Sequence, residues 1–301
     1  MTAPETLEAI VAPTAGESVA PEIGVLAEAM KARHEPGAVA VIAYGSSLRG
    51  IGLTDTLIDL YVLTESGEAV SRSRLARQAC RLVPPNVHYG EVGPRDGDGG
   101  VTLRAKYAVL PLDQFARRMG QGVANPYFWA RFAQPCRIVW VRDEEVRRKL
   151  VAALAQAVRT MIAASLPLGR PGDDALDLWE RGLAETYRTE LRPEPGDRAR
   201  GIVAANAPYY RAVTEAVLGP GWVAGDAPPV GWGRRRVAGK ALSVLRLLKA
   251  GFTFEGGADY VAWKIARHSG QAIEVKPWQR RHPVLGALWL LPGLLRRGAL
   301  R

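Results

Sequence analysis

The sequence predicts an α/β (α+β) protein: a mixed-sheet domain, then a helical domain, then a basic amphipathic C-terminal segment. Three observations carry this. β-type apolar runs alternate with helical patterns up to about residue 142. From residue 143 onward the character changes to helices. The net charge of +10 is gathered at one end: residues 230–301 hold 14 Lys and Arg against 3 Asp and Glu, leaving the preceding residues almost balanced. The predicted division is an N-terminal segment and helix (1–37), the sheet domain (38–142), the helical domain (143–230) and the basic region (231–301).

Residues 22–33 (EIGVLAEAMKAR) have helical periodicity and stop at Glu35-Pro36-Gly37. The apolar runs 38–44 and 57–63 read as strands, followed by a basic helix over 71–82 that Pro84-Pro85 ends. GPRDGDGG at 93–100 reads as a loop, VTLRAKYAVL (101–110) as a third strand, and Arg137–Val141 as a fourth after short helices near 112–119 and 126–133. Helices follow at 143–165, at 173–191 with acids Asp173-Asp174 at its start, and at 198–218. After a Gly/Pro-rich stretch, 219–233, helical pattern resumes at 234–250 and 258–268.

Cys80 and Cys136 sit in apolar surroundings with no CxxC or Cys/His cluster, as buried thiols of a reducing compartment would. The first 22 residues carry four glutamates and no basic residue, unlike a secretory or mitochondrial leader. No run of 18 apolar residues occurs, so no membrane span is expected. The C-terminal basicity points to an anionic partner, a lipid surface or a nucleic acid; aromatics there lie mostly among aliphatics, which favours lipid, and no nucleic acid is expected.

Chemistry concentrates between Val39 and Leu63. An apolar run ends at Tyr44, turns through Gly45-Ser46-Ser47, and resumes as a second run with one acid, Asp59. A small-residue turn with a carboxylate on the next strand is how nucleotidyltransferases hold a nucleoside triphosphate: turn N–H groups and hydroxyls meet phosphates, and the acid holds Mg²⁺. Taken alone, the pattern equally fits a plain crossover turn and an acid paired with an arginine. Such sites commonly carry acids at i and i+2, on one strand face, to hold two metals; here the second position is Tyr61, with Asp55 just before the strand as a possible helper.

The segments YGSS, LIDLYVL, NVHYGEV, LRAKYAVLPLDQF, NPYFWARFAQPCRIV and ETYR followed by GIVAANAPYY, in that order from about residue 39 to about 215, resemble the mitochondrial translocator assembly and maintenance family. Its members are CDP-diacylglycerol synthases, phosphatidate cytidylyltransferases. The resemblance implies a nucleotidyltransferase-like mixed-sheet domain joined to a helical, winged-helix-like domain, with CTP and phosphatidic acid as substrates and Mg²⁺ as cofactor. It places Gly45, Ser46 and Ser47 at the phosphate turn, Asp59 at the metal, and Lys106 on the phosphates. His88 and Tyr89, Tyr107, Arg131, Arg188 and Asn206 match further family positions. The family's helical acid falls on Thr186 here, with Glu185 one residue away and turned by about 100°.

In the tail, VLGALWLLPGLL (284–295) lies uncharged between His282-Pro283 and Arg296-Arg297. Twelve helical residues span about 18 Å, short of a bilayer core of about 30 Å. Arginines at both ends suit a segment lying in an anionic interface, or a terminal helix covering a core face. The expectation is a cytoplasmic protein held peripherally at an anionic membrane surface through its C-terminal region. Other acceptors for nucleotidyl transfer, or a non-catalytic lipid-binding protein on the same scaffold, are the alternatives.

Overall fold

The computed structural model describes residues 6–49, 56–93, 101–190, 197–225, 232–254 and 256–257. At its centre is a five-stranded mixed sheet in the order β3-β4-β2-β1-β5. The strands are β1 Ala38–Tyr44, β2 Leu57–Thr64, β3 Asn86–Val92, β4 Leu103–Pro111 and β5 Cys136–Val141. β2 and β4 pair in parallel and every other pair is antiparallel. β1 reads AVAVIAY with no polar alternation because it is buried on both faces.

One face is covered by α2 (Pro21–Ala32), which buries Ile23, Leu26, Ala27 and Met30 at helical spacing. Gly90 of β3 lets α2 approach: a Cβ there would meet the Met30 sulfur at 2.5 Å. The other face lies under α4 (Leu112–Arg117) and α5 (Trp129–Phe132); Phe115, Phe132 and Phe128, which caps the start of α5, surround the buried Tyr61 ring. Helix α3 (Arg74–Leu82) is capped by Ser73 and packs beside β3.

After β5 the described chain is helical: α6 (Glu144–Ser165), α7 (Ala175–Tyr187), α8 (Asp197–Ala205), α9 (Ala207–Leu218) and α10 (Gly233–Thr253). α6 starts at Asp143, whose carboxylate accepts from Val146 N at 2.8 Å, and it packs on α1 (Leu7–Gly16), α5 and α7. By length and composition α6 could cross a bilayer, but two-thirds of its apolar window is buried in protein, as in a central core helix. One continuous hydrophobic cluster runs from Leu7 through the strands to Trp232.

Three elements differ from the sequence reading. The stretch 198–218 is two helices, because Pro208 supplies no N–H to continue one and Asn206 forms the corner. NVHYGEV is a strand, β3, and α1 forms ahead of α2 on the buried stripe Leu7, Val11 and Ala15. The sequence-predicted helix 258–268 and the tail lie outside the described residues. Cys80 and Cys136 are both buried and free.

His88 is 1% exposed on the α2 face, its ring centroid 5.3 Å from that of Tyr107 and 6.2 Å from that of His34. Burial, aided by the nearby His34, Lys249 and Arg33, pulls it down to about 3 from an ordinary 6.5. The unfolded chain therefore binds this proton first, and stability is present above pH 6.5 and lost as pH falls toward 3. The loss should run at roughly 1.4 kcal/mol per pH unit for this proton. Urea unfolding of the wild type and His88→Leu between pH 7 and pH 4 tests it. The stability difference between the two should shift along that slope, and a pH-independent difference would clear His88 of the effect.

Candidate functional site

The pairing register brings the site together. Across the sheet, Tyr89 of β3 lies beside Lys106 of β4, Lys106 beside Asp59 of β2, and Asp59 beside Tyr44 of β1. Paired residues point to the same face, so an acid, a lysine and two phenols form one row. Directly above it the chain leaves β1 through Gly45, with φ of +84°, a conformation that favours glycine. A Cβ on Gly45 would stand 3.7 Å from the Asp59 carboxylate oxygen, so the turn and the acid are immediate neighbours. The next residues form a 3-10 turn, Ser46–Arg49. Ser46 is exposed, whereas Ser47 is turned inward and donates its hydroxyl to the Tyr44 carbonyl at 3.3 Å.

Cations close in from the helices. Arg131 of α5 holds its guanidinium 4.4 Å over the Tyr127 ring and 5.3 Å from the Tyr44 ring centre, with one Nη1 donating toward the Tyr61 hydroxyl at 3.5 Å. Arg198, near the start of α8, stands 6.0 Å over the Tyr187 ring and acts electrostatically on Asp59. From α10, Arg246 stacks on the Tyr127 ring at 3.8 Å and donates Nε to the Pro84 carbonyl at 3.1 Å. Tyr127 thus has an arginine against its ring from α5 and another from α10.

Burial raises the Asp59 carboxyl above its ordinary range, and Lys106, Arg131, a hydrogen bond from Tyr44 and Arg198 oppose that shift. One half-buried carboxylate is faced by three cations. A free divalent ion would meet net positive charge there, whereas a polyphosphate would meet donors and opposite charge. Among the described residues no three His, Cys, Asp or Glu side chains cluster as a metal site. The i+2 position, Tyr61, is fully buried among phenylalanines and turns its hydroxyl to Arg131.

The other sequence-predicted residues divide. Tyr89 is in the row, with its hydroxyl donating to Glu91, which also pairs with Arg104 at 3.2 Å. His88 and Tyr107 are not at the site: strand side chains alternate, so these neighbours of Tyr89 and Lys106 point to the opposite face, under α2. Glu185 is buried between Arg236 and Arg188, the latter at 3.1 Å, and ties α10 to α7 rather than facing Asp59. Asn206 turns the α8–α9 corner with Nδ2 donating to the Ile202 carbonyl at 3.1 Å. Asp55 lies outside the described residues. A surface depression between α7 and α8, lined by Asp177, Glu180, Arg181 and Arg200, holds none of the row.

Tyr44, Tyr127, Arg198 and Arg246 escaped the sequence reading. Only Tyr44 carried a local signal, as the last residue of the strand before the glycine turn.

No family model matches the chain, and no curated protein matches it. Among solved structures it is similar to a nucleotidyltransferase-like protein from Exiguobacterium sibiricum, at 13% identity over 93% of this chain and 92% of that one, with a TM-score of 0.28. A score that low carries no functional weight, and the chemistry rests on the site's own residues.

The two-arginine clasp on Glu185 makes a stability prediction. Glu185→Gln should destabilise the fold by roughly 1–3 kcal/mol, because a buried charge-assisted pair is broken while its half-exposed arginines regain water. Thermal unfolding measures it; an unchanged midpoint would show that the clasp contributes nothing.

Proposed function

We propose that the chain is a nucleotidyltransferase that transfers CMP from CTP to phosphatidic acid, giving CDP-diacylglycerol and pyrophosphate. The observation that carries the transferase reading is the row Lys106–Asp59–Tyr44 set beneath the Gly45 turn, with Arg131 over it. CTP over other nucleotides, and phosphatidic acid over other acceptors, rest on the ordered family segments. Because that acceptor is a bilayer lipid, this reading has the protein work at a membrane surface, held there peripherally.

In this reading the Gly45–Ser46 turn and Lys106 bind the triphosphate, and Arg131 and Arg198 neutralise it from the helical side. Ser47 shapes the turn. The donor set fits Mg²⁺ that arrives with phosphates: one carboxylate plus phosphate oxygens and water is a common arrangement for this ion. Asp59 would hold it, and when bound it supplies charge neutralisation at the phosphates. Tyr44 orients Asp59 and keeps it ionised. An oxygen of the phosphatidate attacks the α-phosphorus in line, the new P–O bond forms, the α–β bridging P–O bond breaks, and both electrons leave on pyrophosphate. The acceptor is already an anion, so no protein base is required; positioning and charge provide the catalysis.

A different acceptor is the second reading, favoured by Thr186. Where the family carries an acid, Thr186 is buried and donates its hydroxyl to the Leu183 carbonyl.

The test is product formation from radiolabelled CTP and phosphatidic acid in mixed micelles. Asp59→Ala should lose roughly two orders of magnitude or more in kcat/KM. Calorimetric CTP binding with Mg²⁺ and with EDTA should show tighter binding with the metal, and Asp59→Ala should erase the difference. CTP binding without lipid product would move the reading to another acceptor; no CTP binding by folded protein would end it.

Ionised Asp59 also sets a pH dependence. Its pKa lies above the ordinary carboxylate value, so the acid limb of kcat/KM should lie above that of an exposed aspartate. Tyr44→Phe deletes a hydrogen bond that favours the charged form, and should move that limb to higher pH. An unmoved limb would mean that Asp59 is not the group titrating.

A further inference from the structure

Helix α10 is amphipathic in the reverse sense. Its inward cations are held by the protein: Arg235 Nη1 donates to the carbonyls of Val123 and Ala124 at 3.3 and 3.2 Å, and Arg246 donates to that of Pro84. Lys249 Nζ donates to the Val83 carbonyl at 2.6 Å, to the Pro85 carbonyl, and to Asn86 Oδ1 at 3.2 Å. Its aliphatic side chains face out: Val237 is 72% exposed, Leu247 69%, Leu248 61%, and Val244 and Leu245 are near half. At 100° per residue, Val237, Val244, Leu245 and Leu248 fall in one stripe about 100° wide. Helix α3 contacts α10 and adds Leu75 and Leu82, 67% and 75% exposed and two turns apart on one side.

The charges that these two helices carry have one sign. α3 presents exposed Arg74 and Arg81, with Arg72 just before it, and α10 presents exposed Arg234 and Lys240. Neither helix contains an acid. Exposed aliphatic side chains on two touching helices, accompanied only by basic ones, are what a helix pair lying on charged headgroups presents: hydrocarbon side chains enter the acyl boundary while guanidinium and ammonium groups meet phosphates.

We infer that the joint α3–α10 face is a docking surface for an anionic lipid bilayer. Charge decides between possible occupants. Residues 258–301 hold eight Lys and Arg against two Asp and Glu, and their uncharged run 284–295 is flanked by Arg280-Arg281 and Arg296-Arg297, so laying it on this face would bring like charge to the basic rim. A second copy related by a two-fold axis would set the same basic rim against itself. An anionic bilayer neutralises the rim and covers the stripe together. The inference deepens the proposed function, whose acceptor is a lipid, but vesicle binding needs neither nucleotide nor turnover.

The experiment is flotation of the full chain with phosphatidylcholine vesicles, with and without phosphatidylglycerol, in the absence of nucleotide. The wild type should bind the anionic vesicles, weaken with added salt, and bind the neutral ones poorly. Leu245→Asp with Leu248→Asp, and separately Leu75→Asp with Leu82→Asp, should each weaken binding roughly tenfold or more. Thermal melts should be unmoved, because these side chains are exposed. Arg74→Glu with Arg81→Glu reads the rim alone and should give a similar loss. Three results would overturn the inference: variants that bind as wild type, a wild type indifferent to lipid charge, or a concentration-dependent dimer in sedimentation that the leucine variants abolish. A wild type that binds vesicles but no CTP would retain this surface and remove the catalytic reading.

Discussion

Holding the Asp59 carboxylate on an inner strand is the constraint around which this half of the molecule is arranged. A carboxylate withdrawn from water without partners costs several kcal/mol, and the group protonates instead unless opposite charge and donors are supplied. Here they come from four directions: Lys106 from the adjacent parallel strand, a hydrogen bond from Tyr44 on the other side, Arg131 from α5, and Arg198 from α8. The last two require a short helix to lie over the sheet and the helical layer to return to it. Arg131 in turn needs its own acceptors and finds the Tyr127 carbonyl, the Tyr61 hydroxyl and two ring faces. The aromatic cluster beneath is therefore both core packing and the seat of one of the site's cations.

The reversed helix α10 follows from what it spans. Near its start Arg236 reaches Glu185 of α7, and Gly239 allows close approach to Thr189, whose carbonyl oxygen would lie 2.7 Å from an added Cβ. Near its end Lys249 gathers the carbonyls where α3 gives way to β3. Those inward partners are oxygens, so the inward side chains are cations, and aliphatics are left to the outside. Arg246, between the two anchors, puts the same helix against the Tyr127 ring at the site.

Much of this was legible in sequence, for identifiable reasons. Strands β1, β2, β4 and β5 are apolar runs buried on at least one face, and the glycine turn with Asp59 is local enough to read, whereas Lys106 comes from the ordered family segments. β3 was not legible because its α2-facing positions are Asn86, His88 and Gly90, chosen for hydrogen bonding and clearance rather than apolarity. The α8–α9 break was hidden because the apolar period continues through Pro208. His88 and Tyr107 were misplaced because matching a motif gives order along the chain, whereas strand alternation decides the face. Arg198 and Arg246 are ordinary helical arginines in sequence; only the fold brings Arg198 within electrostatic reach of Asp59 and lays Arg246 on the Tyr127 ring.

The single acid becomes intelligible when the reacting groups are counted as charges. A neutral hydroxyl acceptor must lose a proton, and a second carboxylate or metal-bound base serves that step. A phosphate acceptor arrives ionised, and its difficulty is repulsion from the triphosphate it attacks. Under the proposed reading, replacing a second carboxylate by Tyr61 removes one negative charge and gives Arg131 a neutral partner, leaving the site with surplus positive charge. That surplus suits two anions held side by side, so the departure from a two-acid site favours an anionic acceptor.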